Sequence, residues 1–301
     1  MTEHRLDPDT DTVTDVFDRD RPPVLTVDPG DTLIVRSLNA HGYVGEDRHS
    51  AKLIPERRGH CLTGPIAVRG AEPGMMLAVR LESLQPDDWG FTAAGADTPL
   101  NRRLNAVSDE RVWLHWDIAD GKAVSDRGPS VRLAPFLGVI GLPPAESGEH
   151  STIPPRPCGG NIDCRELVAG STLYLPVTVP EALLCLGDGH GAQGDGEVCG
   201  TAVECGMTTR LVLELVTDPP IRTAHATTPA GRVTFGFDAD LNEASAQALS
   251  AMLDWMEVRY EVDRTTALAL ASPAVDLRVT QIVNETWGVH AVLADDGLLA
   301  G

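Results

Sequence analysis

Pro22-Pro-Val-Leu-Thr-Val-Asp-Pro-Gly-Asp-Thr-Leu-Ile-Val-Arg-Ser37 is the stretch on which the fold reading turns. Two β-rich runs, Val24 to Val27 and Thr32 to Ser37, flank Asp28-Pro29-Gly30-Asp31. Asp and Pro favour turn initiation, and Gly supplies a backbone conformation closed to other residues, so the pattern predicts a hairpin-like pair of strands. The same grammar repeats outward. Met76 to Leu81 follows Pro73-Gly74, and Val112 to Ile118 is rich in Trp and β-branched residues. Further runs are Thr172 to Val179, Ala182 to Leu186, Thr209 to Val216, Val233 to Phe237 and Leu277 to Val283. Short runs punctuated by 29 Gly and 22 Pro predict sandwiches or barrels rather than βαβ units.

One helix stands against this background. From Asn242 to Glu257, the residues Leu249, Met252, Leu253 and Met256 recur at helical spacing, with Asn242 as the expected N-cap. A second, shorter helix is expected from Arg264 to Ala271, stopped by Pro273. Both apolar stripes read as scaffold that packs on a core. The first twenty residues are expected to be loosely ordered and residues 21–301 to form one unit, with sub-domain boundaries near 141–160 and 217–231.

Composition narrows the function classes. Aromatics are only 4% of 301 residues, so the core must be aliphatic. The net charge of −20 repels a phosphate backbone, which argues against nucleic acid as a partner. The basic residues form no polybasic membrane patch, and the most apolar stretch, Leu173 to Leu186, is broken by Pro176, Pro180 and Glu181. Met1 to Asp20 is acidic and lacks the apolar segment of a secretory signal, so a cytoplasmic location is expected. Cys61, Cys158, Cys164, Cys185, Cys199 and Cys205 contain no CxxC pair and read as reduced, mostly buried thiols.

The chemistry concentrates between Gly159 and Glu204. Gly159-Gly-Asn-Ile-Asp163 precedes an apolar strand, and Gly187-Asp-Gly-His-Gly-Ala-Gln-Gly-Asp-Gly-Glu197 follows it. The glycines keep the second loop free of bulk. Between them stand oxygen and imidazole ligands of the kind a hard or borderline divalent cation needs. Asp188 and His190 are two apart, so extended backbone presents both on one face. Asp163, Asp188 and His190 are the expected metal ligands, Glu197 the expected proton shuttle, and Asn161 or glycine N–H groups the expected oxyanion donors. Whether Glu197 is base or ligand stays open.

Three other readings compete. A lone His in a glycine loop is commonly a hydrogen-bonded turn residue. Gly189-His-Gly-Ala-Gln-Gly194 fits the spacing G-x-G-x-x-G, but a dinucleotide site needs a helix there, and Gly196, Gly200 and Gly206 lead into a β-type run instead. Cys199 lies two residues from Glu197 and is the candidate for a thiolate nucleophile, against the ordinary role of Cys as a small buried hydrophobe. No G-x-S-x-G elbow occurs.

Taken in order, several segments resemble the acetamidase/formamidase family. They are Pro22 to Asp31, Leu62-Thr-Gly-Pro-Ile-Ala-Val-Arg-Gly-Ala-Glu-Pro-Gly74, Leu137-Gly-Val-Ile-Gly141, Gly159 to Asp163 and Leu173-Tyr-Leu-Pro-Val177. Gly187 to Thr201, Asp276 to Val283 and Gly288-Val289 complete a set reaching from about residue 21 to 290. The resemblance implies a mostly β chain: a β-sandwich or jelly-roll-like body with an additional small β-barrel and α+β elements. It also implies hydrolysis of a small aliphatic amide such as acetamide or formamide to ammonia and a carboxylate. A divalent metal is implied near the signature loop, zinc first and calcium second, carried over onto Asp163, Asp188, His190 and Glu197. A homodimer or higher homo-oligomer is implied as well. One segment departs: where the family commonly has D-x-x-x-G-Q-I, this chain has Asn39-Ala-His-Gly-Tyr-Val44, and His60 before the Thr63-Gly-Pro65 turn is a secondary site candidate. A non-catalytic small-molecule binding protein with a structural metal is the alternative from a different class.

Overall fold

The β runs assemble into two large sheets whose edges stay open. The structure, a computed structural model, describes residues 2–298. One sheet has nine strands, in spatial order Glu3–Leu6, Thr32–Ser37, Met207–Val216, Met76–Pro86, Thr172–Pro176, His225–Thr228, Gly231–Asp238, Trp287–Leu293 and Val275–Gln281. The other has eleven. Its main path runs Ser130–Arg132, Lys122–Ser125, Val112–Ala119, Trp89–Ala94, Glu204–Cys205, Leu184–His190, Phe136–Gly141 and Gly159–Asn161. Leu62–Val68 joins this path at Leu184–His190 and brings in Val13–Thr14 and Leu25–Val27. A two-stranded pair, Val16–Asp18 with Glu149–Ser151, lies apart.

The two large sheets share one aliphatic core. Leu33, Val35, Leu77, Val79, Leu211 and Leu213 of the nine-stranded sheet cluster with Ile66, Val68, Leu137, Ile140, Leu184 and Leu186 of the other. Alternation along Thr32–Ser37 is strict, with every second residue buried, as one solvated and one packed face require. Burying each such side chain contributes roughly 1.5–3 kcal/mol, so the sandwich arrangement follows from the aliphatic composition. Among the described residues the expected small barrel does not form: neither large sheet closes on itself, and Glu3–Leu6 and Val275–Gln281 are the end strands of the nine-stranded one.

The segment quoted at the outset folds differently from a hairpin. Leu25–Val27 pairs in parallel with Leu62–Val68, while Thr32–Ser37 pairs with Glu3–Leu6 and Met207–Val216. The turn carries the chain from one sheet to the other, with Gly30 at φ 88 and its N–H bonded to the Leu213 carbonyl. Both runs are short and apolar, and tertiary partners outcompeted local pairing. The amino-terminal segment, expected to be loose, is also placed: Glu3–Leu6, Val13–Thr14 and Val16–Asp18 are all paired strands. Residues 142–158 leave and rejoin one sheet, since Gly141 pairs with Gly159.

Helix α1 spans Pro99–Arg103, α2 Leu241–Tyr260 and α3 Arg264–Ala274. Asp240, not Asn242, caps α2, accepting from the Asn242 N–H at 2.7 Å. Pro273 lies inside α3, in its last turn. Ala244, Ala248, Met252 and Met256 of α2 and Ala267 and Ala271 of α3 pack with Val289, Ala291 and Leu293. The two helices thus cover the strand Trp287–Leu293, and none of the described helices is long and apolar enough to cross a membrane.

Candidate functional site

The site grows from one strand, Leu184–His190, and from glycine opposite it. Antiparallel pairing of Leu137 with Gly189 and Val139 with Gly187 sets Gly138 across from Asp188. A Cβ on Gly138 would fall on the carboxylates of Asp188 and Asp163 and on the His190 ring, closer than a real carbon can approach. Gly138 therefore makes room for three polar side chains inside a sandwich. Asp163 follows the strand Gly159–Asn161, and its N–H bonds the Gly138 carbonyl at 3.2 Å. Glu204 stands opposite His190 in the pairing of Leu184–His190 with Glu204–Cys205.

These groups meet at close range. His190 Nε2 lies 3.4 Å from Asp188 Oδ2 and 3.4 Å from Glu204 Oε1, and its Nδ1 is 3.9 Å from Asp163 Oδ1. Asp163, Asp188, His190, Glu197 and Glu204 are all buried. Two triads share His190: Asp163, His190 and Glu197, and Asp188, His190 and Glu204, each offering one ligand atom within 4.8 Å of the others. Asp163, Asp188 and Glu197 sit at φ 53, 58 and 44, a left-handed region costly for residues with a Cβ. Three acids held there in one buried cluster mark a place where the fold gives up local comfort to aim side chains.

A surrounding layer orients the cluster. Gln193 Nε2 donates to the Asp163 carbonyl at 2.8 Å, which turns Gln193 Oε1 toward His190 Nδ1 at 2.9 Å. With Nδ1 as the donor there, a neutral His190 presents its Nε2 lone pair to two carboxylates, an arrangement that holds only with a proton or a cation between them. Asn284 Nδ2 donates to Asp163 Oδ2 at 2.5 Å, and the Ala202 N–H to Glu204 Oε1 at 2.8 Å. Asp163 Oδ1, His190 Nε2 and Glu204 Oε2 remain buried without a hydrogen-bond partner among the described residues. Orphaned buried polar atoms are rare in native proteins, and converging oxygen and imidazole donors are the set a divalent cation takes. The residues present fit such an ion.

Electrostatics agree with that crowding. Burial and the Asp188 charge lift the Asp163 carboxyl to about 7, against the pull of His190. Burial and Asp163 push Glu197 well above the usual carboxylate range. Burial would lower His190, but Glu204 and Asp188 raise it well above its ordinary value. Burial likewise opposes ionisation of Asp188, yet His190 and His60 hold its carboxyl low.

The Gly194–Gly200 turn that carries Glu197 is pinned from the far end of the chain. The Gly196 N–H bonds the Thr280 carbonyl at 3.0 Å, and the Ile282 N–H returns to Gly196 at 3.1 Å. Arg278 clasps Asp195 at 2.6 Å and Glu166 at 2.5 Å. Glu197 and Gln193 line a cavity of about 340 Å³ beside the cluster.

Of the residues singled out in the sequence, Asp163, Asp188, His190 and Glu197 come together. Asn161 Nδ2 donates to the Ile153 carbonyl at 3.1 Å, and its Oδ1 is buried without a partner. His60 Nε2 is 4.0 Å from Asp188, its Nδ1 held 3.0 Å from the Thr152 hydroxyl. Glu204 and Asn284 were missed. An acid inside the apolar run Ala202-Val-Glu-Cys205 is the signal that could have found Glu204; nothing local marks Asn284. No helix starts at Gly189–Gly194, as the dinucleotide reading would need. Burial pushes the Cys61, Cys164 and Cys185 thiols up to about 12, and Cys199 Sγ lies 3.4 Å from the Thr201 carbonyl. In the departing segment, Asn39 Oδ1 accepts from the His41 and Tyr43 N–H groups, a turn-forming role.

The chain is 28% identical to a formamidase of Methylophilus methylotrophus, over 66% of this chain and 63% of that protein. It is 26% identical to an acetamidase of Mycolicibacterium smegmatis, over 65% of this chain and 64% of that one. The matches thus span a little under two thirds of the length of these curated relatives. A crystal structure of an acetamidase from Bacillus halodurans superposes with a TM-score of 0.87 at 28% identity, covering 96% of this chain and 97% of that one. The model of the acetamidase/formamidase family matches residues 2–151 and 144–293, which between them carry every member of the buried cluster, and the chain belongs to that family.

Proposed function

We propose that this chain is a metal-assisted amidohydrolase that cleaves a small linear amide to ammonia and a carboxylate. The observation that carries the reading is one buried cluster in which Asp163 Oδ1, His190 Nε2 and Glu204 Oε2 lack partners among the described residues, with Gly138 leaving the room that Asp163, Asp188 and the His190 ring occupy. Asp163, Asp188, His190 and Glu204 are the residues that would hold the ion, with zinc the first expectation and calcium the second. Such an ion supplies Lewis acidity toward the amide carbonyl and a lower pKa for bound water.

The chain's own residues do the rest. Glu197 belongs to the cluster and also lines the adjoining cavity, which places it between the ion site and an entering substrate. With a cation's charge in the cluster favouring its ionised form, it would accept the proton of the attacking water and return it to the leaving nitrogen. Gln193 keeps His190 in one tautomer, and Asn284 keeps Asp163 in one rotamer. The relatives' names, formamidase and acetamidase, support the amide class.

The test is ammonia release from short amides by purified, metal-analysed protein, with and without chelation, alongside Glu204→Gln and Gly138→Ala. The reading expects one stoichiometric metal, loss of release on chelation, and loss of both metal and release in the two variants. Release that survives complete metal removal would overturn the metal-assisted mechanism; release that disappears only in Cys199→Ala would replace it with a thiolate.

A further inference from the structure

Beside the cavity that reaches Glu197 lies a larger one of about 550 Å³. The two share Cys199 and Thr201 as a common wall. The larger one is tied to the cluster by its own lining: Ile282 and Val283 immediately precede Asn284, whose amide holds Asp163. Gly200, also on its wall, closes the turn that begins at Glu197 through a 2.8 Å bond to the Glu197 carbonyl. Its lining is mainly apolar, with Leu100, Ile282, Val283 and Trp287 standing beside Thr98, Asn101 and Thr286. Arg103, Arg111 and Glu285 also line it and are all exposed, so the charges at its rim are of mixed sign. Acetamide has only a handful of non-hydrogen atoms and would leave such a space almost empty, whereas cavities of about 300–1,000 Å³ suit far larger ligands.

Resting on the amidase reading above, we infer that the preferred substrates are primary amides with an apolar acyl chain several carbons long. The amide stands at the cluster, and the chain passes the Cys199–Thr201 wall into the space lined by Leu100, Ile282 and Trp287. Mixed rim charge gives no basis for selecting an ionic tail, so selectivity comes from transfer of methylenes out of water. That transfer is worth roughly a three- to fourfold gain in kcat/KM per buried methylene.

The experiment compares acetamide, propionamide, butyramide and hexanamide by ammonia release, and measures acetamide and hexanamide binding by calorimetry, for the full chain and for Leu100→Trp. Leu100 is half-buried on α1, where a larger ring narrows the cavity without entering the sandwich core. The inference expects kcat/KM to climb along the series by ten-fold or more in total. It also expects Leu100→Trp to lower the hexanamide-to-acetamide ratio by a similar factor, with matching loss of hexanamide binding. Acetamide turnover with a flat or falling length series would overturn the inference and leave the amidase reading intact. Tight hexanamide binding that Leu100→Trp abolishes, with no ammonia from any amide, would uphold the cavity's ligand class and overturn the hydrolase reading.

Discussion

The buried cluster around His190 and the helix-covered face around Met252 are both interior, yet they obey opposite rules. Under α2 and α3, small and flexible apolar residues fill the space, and the buried Thr234 hydroxyl there is satisfied, donating to the Ala248 carbonyl at 2.7 Å. Around His190, glycine withholds volume, three acids adopt left-handed backbone, and polar atoms lack partners. The first region is consistent from local propensity to packing, and the second breaks those rules in one place. Violations of that kind concentrate where function is carried, because a site must aim groups that a stable core would satisfy or exclude. The histidines show the same split. Burial lowers His225 and His290 in the nine-stranded sheet to about 4 each, whereas carboxylates raise His190.

The comparison breaks most visibly with Glu197→Gln. Turnover is expected to fall by about 10²–10⁴, the usual worth of a positioned acid or base, while the melting temperature holds or rises because a crowded buried acid has been neutralised. A clear drop in melting temperature with turnover kept would make Glu197 a structural residue. Met252→Ala should behave in the reverse sense. It leaves a cavity under α2 and costs about 2–5 kcal/mol of stability by denaturant titration, with kcat of the folded fraction unchanged.

Acid sensitivity sharpens the contrast. His225, stacked on Tyr174, and His290, bonded to Thr280, have folded pKa values depressed below the ordinary 6.5. Their neutral forms support the fold fully above about 6.5, and that support is lost as pH falls through about 4. The melting temperature should therefore decline across that window, and His225→Gln should flatten part of the decline, on the order of 2–3 kcal/mol by linkage. An identical pH profile in the variant would remove His225 from the account. The smallest effect is expected at the end of the helix. Asp240→Ala deletes the cap of α2 and should cost about 1 kcal/mol, measured by the same titration, with no change in metal content.

Much of this was legible in the chain before folding. Strand-length apolar runs such as Thr32 to Ser37 and Thr209 to Val216, and the stripe Leu249, Met252, Leu253, Met256, follow from periodicity, which is a property of neighbours. Asp188 and His190 were legible as neighbours two positions apart in one strand and do meet in the cluster, although Asp188 takes a left-handed φ of 58 rather than extended backbone. The strand Trp287–Leu293 was not, since a strand buried beneath helices loses its alternation. Glu204, fourteen residues past His190, reaches it only through cross-strand pairing, and Asn284 reaches Asp163 across 121 residues.

By itself, the sequence determined the class of structure, the aliphatic core, the long helix and most of the residues that meet in the buried cluster, because each depends on composition or short-range spacing. Tertiary structure alone decided that residues 25–27 and 32–37 enter different sheets, that Gly138 opens room for the cluster, and that Glu204 and Asn284 complete it. Those outcomes depend on which distant strands pair and in what register, and the free energy that selects a register comes from burying a whole face at once, not from any segment alone.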